Sequence, residues 1–250
     1  MLLFSGVRTS SAETILGDYL AQKDIDVSVS ASIDFYNKYI WRGFQLDSDP
    51  VIQPSLTVEA LGFDGGIWSS FDVDQDDGEG LNSDEVDGWL GYSFDLGFID
   101  ESLGIVGVSV GHTWYDFPGA DTYTTEWYFS IALDTFLSPY FTWYYDYGDE
   151  AQGGADGSVY AFGAGHSFTL SEDYGISLDL GAEVGINDEH FIAGEGGYFL
   201  GTVGLTIPLT EGVTMAPVMA WSSPFGDLED TADGNQDDHF YAGVSMSFSM

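Results

Sequence analysis

From Asp26 onward, apolar and polar residues alternate in short runs separated by turn-forming residues. The clearest run is 176–187. Ile176, Leu178, Leu180, Ala182, Val184 and Ile186 form one row, and Ser177, Asp179, Gly181, Glu183, Gly185 and Asn187 form the other. A period of two is the signature of a β-strand with unlike faces. Val106, Val108 and Val110 oppose Gly107, Ser109 and Gly111 in the same way. Trp127, Phe129, Ile131 and Leu133 oppose Glu126, Tyr128, Ser130 and Ala132. One face is greasy. The other is small, hydroxylic or acidic, which suits a hydrated lumen better than the core of a sandwich.

The pattern predicts about twelve strands, near 26–43, 51–61, 66–74, 85–96, 105–116, 123–134, 139–147, 157–170, 176–187, 198–209, 213–222 and 239–250. Most match the roughly ten residues that a tilted strand needs to cross a bilayer. The connections alternate in length. Short ones (62–65, 97–104, 135–138, 171–175, 210–212) take turns with longer, acidic ones (45–50, 75–84, 117–122, 148–156, 188–197, 223–238). Short turns at one end and long loops at the other are the expected asymmetry of an outer-membrane barrel. The fold class expected is therefore all-β: a transmembrane, antiparallel, up-and-down β-barrel filling residues 26–250. Trp41, Trp114, Trp127, Tyr145, Tyr147 and Trp221 fall towards the long-loop ends, where an interfacial aromatic girdle belongs. Residues 1–25 read as an N-terminal arm. Its first twelve residues are either a signal remnant or a disordered end, and 13–22 carry a short helical spacing that would place a helix outside or inside the barrel. The last residues, Ala242, Val244, Met246, Phe248 and Met250, form one apolar row. It resembles the targeting strand that outer-membrane proteins present to the barrel assembly machinery, with Met250 where Phe is usual.

Charge sharpens the picture. The 250 residues contain 42 acids and only 4 bases, for a formal net charge of -38. Such a chain is no partner for nucleic acid, whose phosphates require basic residues. It suits cations, or a salty habitat. Cysteine is absent, which excludes disulfides and thiolate metal sites. Two of the four bases, Lys38 and Arg42, lie in Asp34-Phe35-Tyr36-Asn37-Lys38-Tyr39-Ile40-Trp41-Arg42-Gly43. Read as one strand, this stretch puts Asp34, Tyr36, Lys38 and Arg42 on a single face, opposite Phe35, Tyr39 and Trp41. The two bases are then expected inside the barrel, with Glu59 and Asp72 as the nearest carboxylates across the next strands.

Tyr39-Ile40-Trp41-Arg42-Gly43-Phe44, followed by Asp49-Pro50-Val51-Ile52-Gln53, the turn Phe63-Asp64-Gly65-Gly66 and the strand Ile67-Trp68-Ser69-Ser70, resembles the opening of the TorF or Gcw-chp family of outer-membrane porins. The likeness covers about 40 residues. Pro54 stands where the family pattern carries Gly, which predicts an irregular second strand. The resemblance implies an outer-membrane barrel of porin type, with no catalytic residues and no defined substrate.

The expected lumen set is Asp34, Tyr36, Lys38, Arg42, Glu59, Trp68, Asp72, Asp87, Asp95, Glu126, Tyr128, Tyr144, Asp146, Asp179 and Glu183. Carboxylates around a narrow pore favour cations. The same residues would equally serve as the ion-pair network of a closed barrel. No cofactor is expected beyond loosely bound Ca2+ at Asp72, Asp74 and Asp76. There the EF-hand pattern fails, because Asp77 and Ser83 stand at its Gly and Glu positions. His112 and His166 fall on rows assigned to lipid. That leaves either a local bulge turning them inward or a membrane-embedded lipid hydrolase, for which no serine partner is evident. The reading is of a non-enzymatic, porin-like channel for small solutes, preferring cations, in the bacterial outer membrane. Its partners would be membrane lipid, the assembly machinery, and solutes or cations. The alternative is a closed barrel acting through acidic surface loops in cation binding or adhesion.

Overall fold

The computed structural model describes residues 26–73, 83–231 and 234–250. The N-terminal arm, with its expected helix, lies outside the described residues, as do Asp74 and Asp76.

The strands in chain order are β1 (Val27–Tyr36), β2 (Tyr39–Trp41), β3 (Phe44–Asp47), β4 (Val51–Ala60), β5 (Phe63–Asp72), β6 (Ser83–Asp95), β7 (Val106–Phe117), β8 (Thr122–Leu133), β9 (Tyr140–Asp146), β10 (Ser158–Ser171), β11 (Ile176–Asp188), β12 (Glu195–Thr210), β13 (Val213–Gly226), β14 (Asp230–Thr231), β15 (Gly234–Asn235) and β16 (His239–Ser249). Twelve of them form one closed antiparallel barrel in the order β1, β16, β13, β12, β11, β10, β9, β8, β7, β6, β5, β4. β1 closes the ring by pairing with β16 on one side (Ile33↔Met246) and β4 on the other (Ile33↔Pro54). Closure leaves no sheet edge with unpaired backbone groups, which is the condition for spanning lipid with strands. β2 with β3 and β14 with β15 are two small hairpins outside the ring.

The alternation decides the two faces. Ile33, Leu56, Ile67, Leu90, Trp127, Phe162, Leu180, Phe199, Val203 and Met219 are exposed on the outside. In a membrane this apolar belt faces lipid, not water. The inward rows are rich in Ser, Thr and Gly, with hydroxyl pairs such as Ser32 with Ser55 and Ser93 with Ser109. Burial along these rows is uneven. At the long-loop end Val51, Val159, Asn187, His190 and Leu228 are fully buried, whereas Glu59 and Asp95 near the short turns are exposed. Side chains at the long-loop mouth are packed, and those at the short-turn end reach solvent.

The first strand is shorter than the pattern suggested. β1 stops at Tyr36, and residues 39–47 turn back as a separate hairpin. Lys38 lies in the bend before β2 and Arg42 in the turn after it, so neither continues the alternation of β1. The expected turn 62–65 is instead Leu61-Gly62, both with positive φ (56° and 83°), and Phe63 already begins β5. Pro54 lies within β4 on the outer face. The β4–β5 ladder is interrupted between Ile52↔Phe71 and Ser55↔Trp68 without a shift of register. A missing N–H breaks hydrogen bonds there without moving the strand.

Candidate functional site

The packed mouth is built around the β2–β3 hairpin. Its tip is Arg42-Gly43, with φ of 47° and 88°. Positive φ at both central residues is what a two-residue turn between twisted strands requires. A Cβ on Gly43 would lie 2.8 Å from both Tyr198 Cβ and Leu228 Cδ2, so the tip is seated directly against the barrel wall and a second loop. Val159, Tyr198 and Leu228 form a small buried cluster there, joined by Phe44, Tyr144, Ile192 and Leu200. Gln45 N–H donates to Gln236 Oε1 at 2.9 Å, which ties the hairpin to the loop before β16.

Arg42 crosses to β8. Its two terminal nitrogens donate to both oxygens of Glu126, at 2.5 and 2.9 Å. The side chains are 10% and 1% exposed, so this is a buried bidentate pair. The guanidinium lies 3.7 Å from the ring centre of Tyr144 and 4.5 Å from that of Trp41. Tyr115 donates to Glu126 Oε1 at 3.0 Å. His190, on the loop between β11 and β12, packs its ring 5.5 Å from Trp41 and holds Nε2 3.4 Å from Glu126 Oε2. That separation suits an ion pair once the imidazole is protonated. In its present pose neither ring nitrogen has a hydrogen-bond partner. Asn187 fixes the loop by exchanging two 2.9 Å hydrogen bonds with the His190 backbone. Burial first, then the neighbouring Arg42, lowers the affinity of His190 for a proton, against the pull of Glu126, and the net direction is below the ordinary 6.5.

These contacts correct the expected partners. Arg42 meets Glu126, not Glu59 or Asp72, and it reaches the interior from a folded-in hairpin, not from a barrel strand. Lys38 likewise lies beyond the end of β1. Trp41 is not part of an outer girdle. It sits inside against Tyr115, His190 and Phe191. Glu126, Asp87 and Asp146 point inward but are buried beneath the loops at the packed mouth. Asp146 accepts from Thr124 Oγ1 (2.6 Å) and from the Gly148 and Ala155 amides (2.9 and 3.0 Å), so it organises a loop.

Below the hairpin, carboxylates are satisfied by hydroxyls. Glu183 accepts from Tyr198 at 2.6 Å and from Tyr140. Asp179 accepts from Ser167 (2.5 Å), Ser177 (3.2 Å) and Thr206 (2.8 Å). Asp64, absent from the expected set, accepts from Trp89 Nε1 at 3.1 Å. Asp34 opposes Gln53 and Ser245 on the inner face and keeps Oδ1 without a partner. Tyr36, Trp68, Tyr128 and Tyr144 share the inward phase. Tyr36 packs on Tyr241 and Trp68 on Tyr39 of the hairpin. Asp72, at the long-loop end of β5, bonds its amide to Asp84. Tyr115 and His190 were missed. Tyr115 was readable as inward from the alternation of β7, but nothing local connects either residue to Arg42.

His112 and His166 stay on the outer face with no bulge. His112 Nε2 is 2.7 Å from Tyr147 Oη and its ring meets Trp127 edge-on. His166 rests on Phe136, ring centres 3.9 Å apart. Neither forms a serine–histidine pair among the described residues. Nor do the described residues hold a group of three or more His, Asp or Glu arranged for a metal.

The family described as "Bacterial protein of unknown function (Gcw_chp)" matches residues 21–221. The chain belongs to the Gcw_chp family. A search of curated proteins found no sequence match. Among solved structures, the NanC porin is similar with a TM-score of 0.54 at 10% identity, over 87% of this chain and 98% of that one. The KdgM porin gives 0.55 at 8% identity, over 89% and 99%. The COG4313 outer membrane channel from Pseudomonas putida F1 gives 0.50 at 9% identity, over 90% and 94%. At such identities the likeness is one of fold. This Gcw_chp member has the fold of outer-membrane porins and channels, and its closed ring and apolar belt fit that membrane.

Proposed function

We propose that this protein is an outer-membrane channel for small solutes, preferring cations. The supporting observation is the charge of the inner face. Asp34, Glu59, Asp64, Asp95, Asp179 and Glu183 lie on inward rows, and no barrel strand carries a Lys or Arg. Among the described residues, the base that enters the interior, Arg42, is neutralised by Glu126. In a confined, low-dielectric passage a surplus of fixed negative charge concentrates cations and excludes anions. The hydrated path would start at the solvent-exposed Glu59 and Asp95 of the short-turn end. The porin fold supplies a precedent for passage, though not the solute.

A specific observation also favours a second reading. The β2–β3 hairpin and the loop bearing His190 fill the long-loop mouth, as a closed barrel acting through its acidic loops would require. The two readings separate in a planar bilayer. Purified protein should give discrete conductance steps, with a reversal potential displaced toward the cation's equilibrium value under a salt gradient. Silence under every condition that undocks the hairpin would favour the closed barrel.

A further inference from the structure

The hairpin tip holds a conformation that is costly by itself. A non-glycine residue in the left-handed region is strained, and Arg42 stands there at φ 47°. The first position of such a turn usually goes to Asn, Asp or Gly. An arginine is accounted for by its side chain, which makes the bidentate contact to Glu126. The tip is thus stabilised by its docking rather than by its own turn chemistry.

His190 is the group next to that contact with nothing to satisfy it. It is 0% exposed, and among the described residues neither ring nitrogen has a hydrogen-bond partner. The charged groups acting on it are Arg42 from the hairpin, Glu126 from β8 and Asp146 from β9; Tyr115 and Tyr144 flank the Arg42–Glu126 pair beside it. Asp188 at the end of β11 and Glu189 on its own loop are exposed to solvent.

We propose that the 39–47 hairpin is an acid-released gate, latched by Arg42 on Glu126 and triggered by protonation of His190. The consequence for conduction rests on the channel reading above; the movement of the hairpin does not. A protonated imidazole places a second cation 3.4 Å from the Glu126 oxygen that Arg42 already holds at 2.5 Å. Glu126 Oε2 can accept the Nε2–H, but the imidazolium is then held, fully buried, beside the Arg42 guanidinium. The Nδ1–H has no acceptor among the described residues in the docked pose. Asp146 is already engaged by Thr124 and two backbone amides. A buried cation with an unsatisfied donor is costly, and the relief is separation of the 188–194 loop from the hairpin tip, with water admitted to both. The sign is fixed by the direction of the His190 shift: docking is fully supported above 6.5 and is lost as the pH falls below it.

The test is amide hydrogen exchange on the full chain in lipid, corrected for intrinsic rates, at about pH 7.5 and about pH 5. Protection of residues 39–47 should fall by about tenfold per pH unit through the transition, for one linked proton, while the barrel strands keep theirs. The midpoint should lie below 6.5 and above the ordinary carboxylate range of about 4. His190→Gln should abolish the response with the hairpin still docked, and Glu126→Gln should leave the hairpin undocked at both values. Unchanged hairpin protection in the wild type, or a response that survives His190→Gln, overturns the proposal. Should His190→Gln fail to assemble, His190→Asn and the wild-type midpoint decide; a midpoint in the carboxylate range also overturns it. Conductance recorded on the same samples separates the two claims. Release without conductance sinks the channel reading and leaves the gate, whereas pH-independent conductance with a docked hairpin does the reverse.

Discussion

Arg42→Ala removes one partner of a buried, bidentate pair and leaves Glu126, 1% exposed, facing Tyr115 and a neutral His190. Breaking such a pair typically costs about 3 to 5 kcal/mol, because the remaining charge is stranded. One effect reduces the loss: water can reach Glu126 once the tip lifts, whereas the left-handed strain at position 42 is the same for Ala and cancels. A docking loss of about 3 kcal/mol is therefore expected, or roughly a hundredfold in the docked-to-undocked ratio at about 1.4 kcal/mol per tenfold. Because the hairpin is not a barrel strand, the loss falls on docking, and the ring itself should hold. The chain offers an unusually clean assay. It has only four bases, and Lys38 is the single tryptic site left between residue 24 and the C-terminus once Arg42 is replaced. Native-state cleavage after Lys38 tracks the undocked population when opening is fast relative to cutting, so its rate should rise by about a hundredfold while heat-modifiable gel mobility stays near that of the wild type. Arg42→Lys should fall between, since it keeps the charge and loses the fork. A cleavage rate within about threefold of wild type would mean that the pair contributes less than about 1 kcal/mol, as hydrated pairs do, and the latch argument would fail.

Other expectations follow from the same contacts. Gly43→Ala should undock the hairpin by about 2 kcal/mol, from positive-φ strain and a Cβ 2.8 Å from Tyr198 and Leu228, and the same tryptic assay reads it. Leu180→Arg, in the outer belt, should weaken the barrel by about 2 to 4 kcal/mol if it lies near the midplane. Asp179→Asn, on the opposite face of the same strand, should cost about 1 kcal/mol; equal losses in heat-modifiable mobility would contradict the assigned faces. For the acidic loops 72–84 and 227–238, about millimolar calcium should slow hydrogen exchange if they gather divalent ions, and identical exchange in calcium, magnesium and chelator would show them to be merely solvated.

Much of the architecture was legible in the residue pattern, and the reason is visible in particular strands. In 176–187 every second residue is apolar, and the structure places Leu178, Leu180 and Val184 outward and Asp179 and Glu183 inward. A bilayer outside and polar surroundings inside leave few exceptions to that rule. Residues 37–43 show its limit. A period of two identifies a strand but not the sheet it joins, so Lys38 and Arg42 were read as a continuation of β1 when the chain had already turned into the mouth. The partner of Arg42 lies 84 residues away on β8. That distance is closed by barrel curvature and loop folding, neither of which leaves a local signature. The φ values at Arg42 and Gly43 explain the Arg-Gly pair afterwards, but Arg-Gly alone is a weak turn signal beside Asn-Gly. His190 had no signal beyond a nearby Asn, and its importance comes wholly from what packs around it.

Reversal potential tests a cation-preferring passage through the acidic lumen most directly. Wild-type protein and a form undocked by Glu126→Gln are reconstituted in planar bilayers and recorded under a potassium chloride gradient. Discrete steps, larger in the undocked form, with the reversal potential displaced toward the potassium equilibrium value, are the predicted result. No steps above bare lipid in either form, or a displacement toward the chloride value, would contradict it.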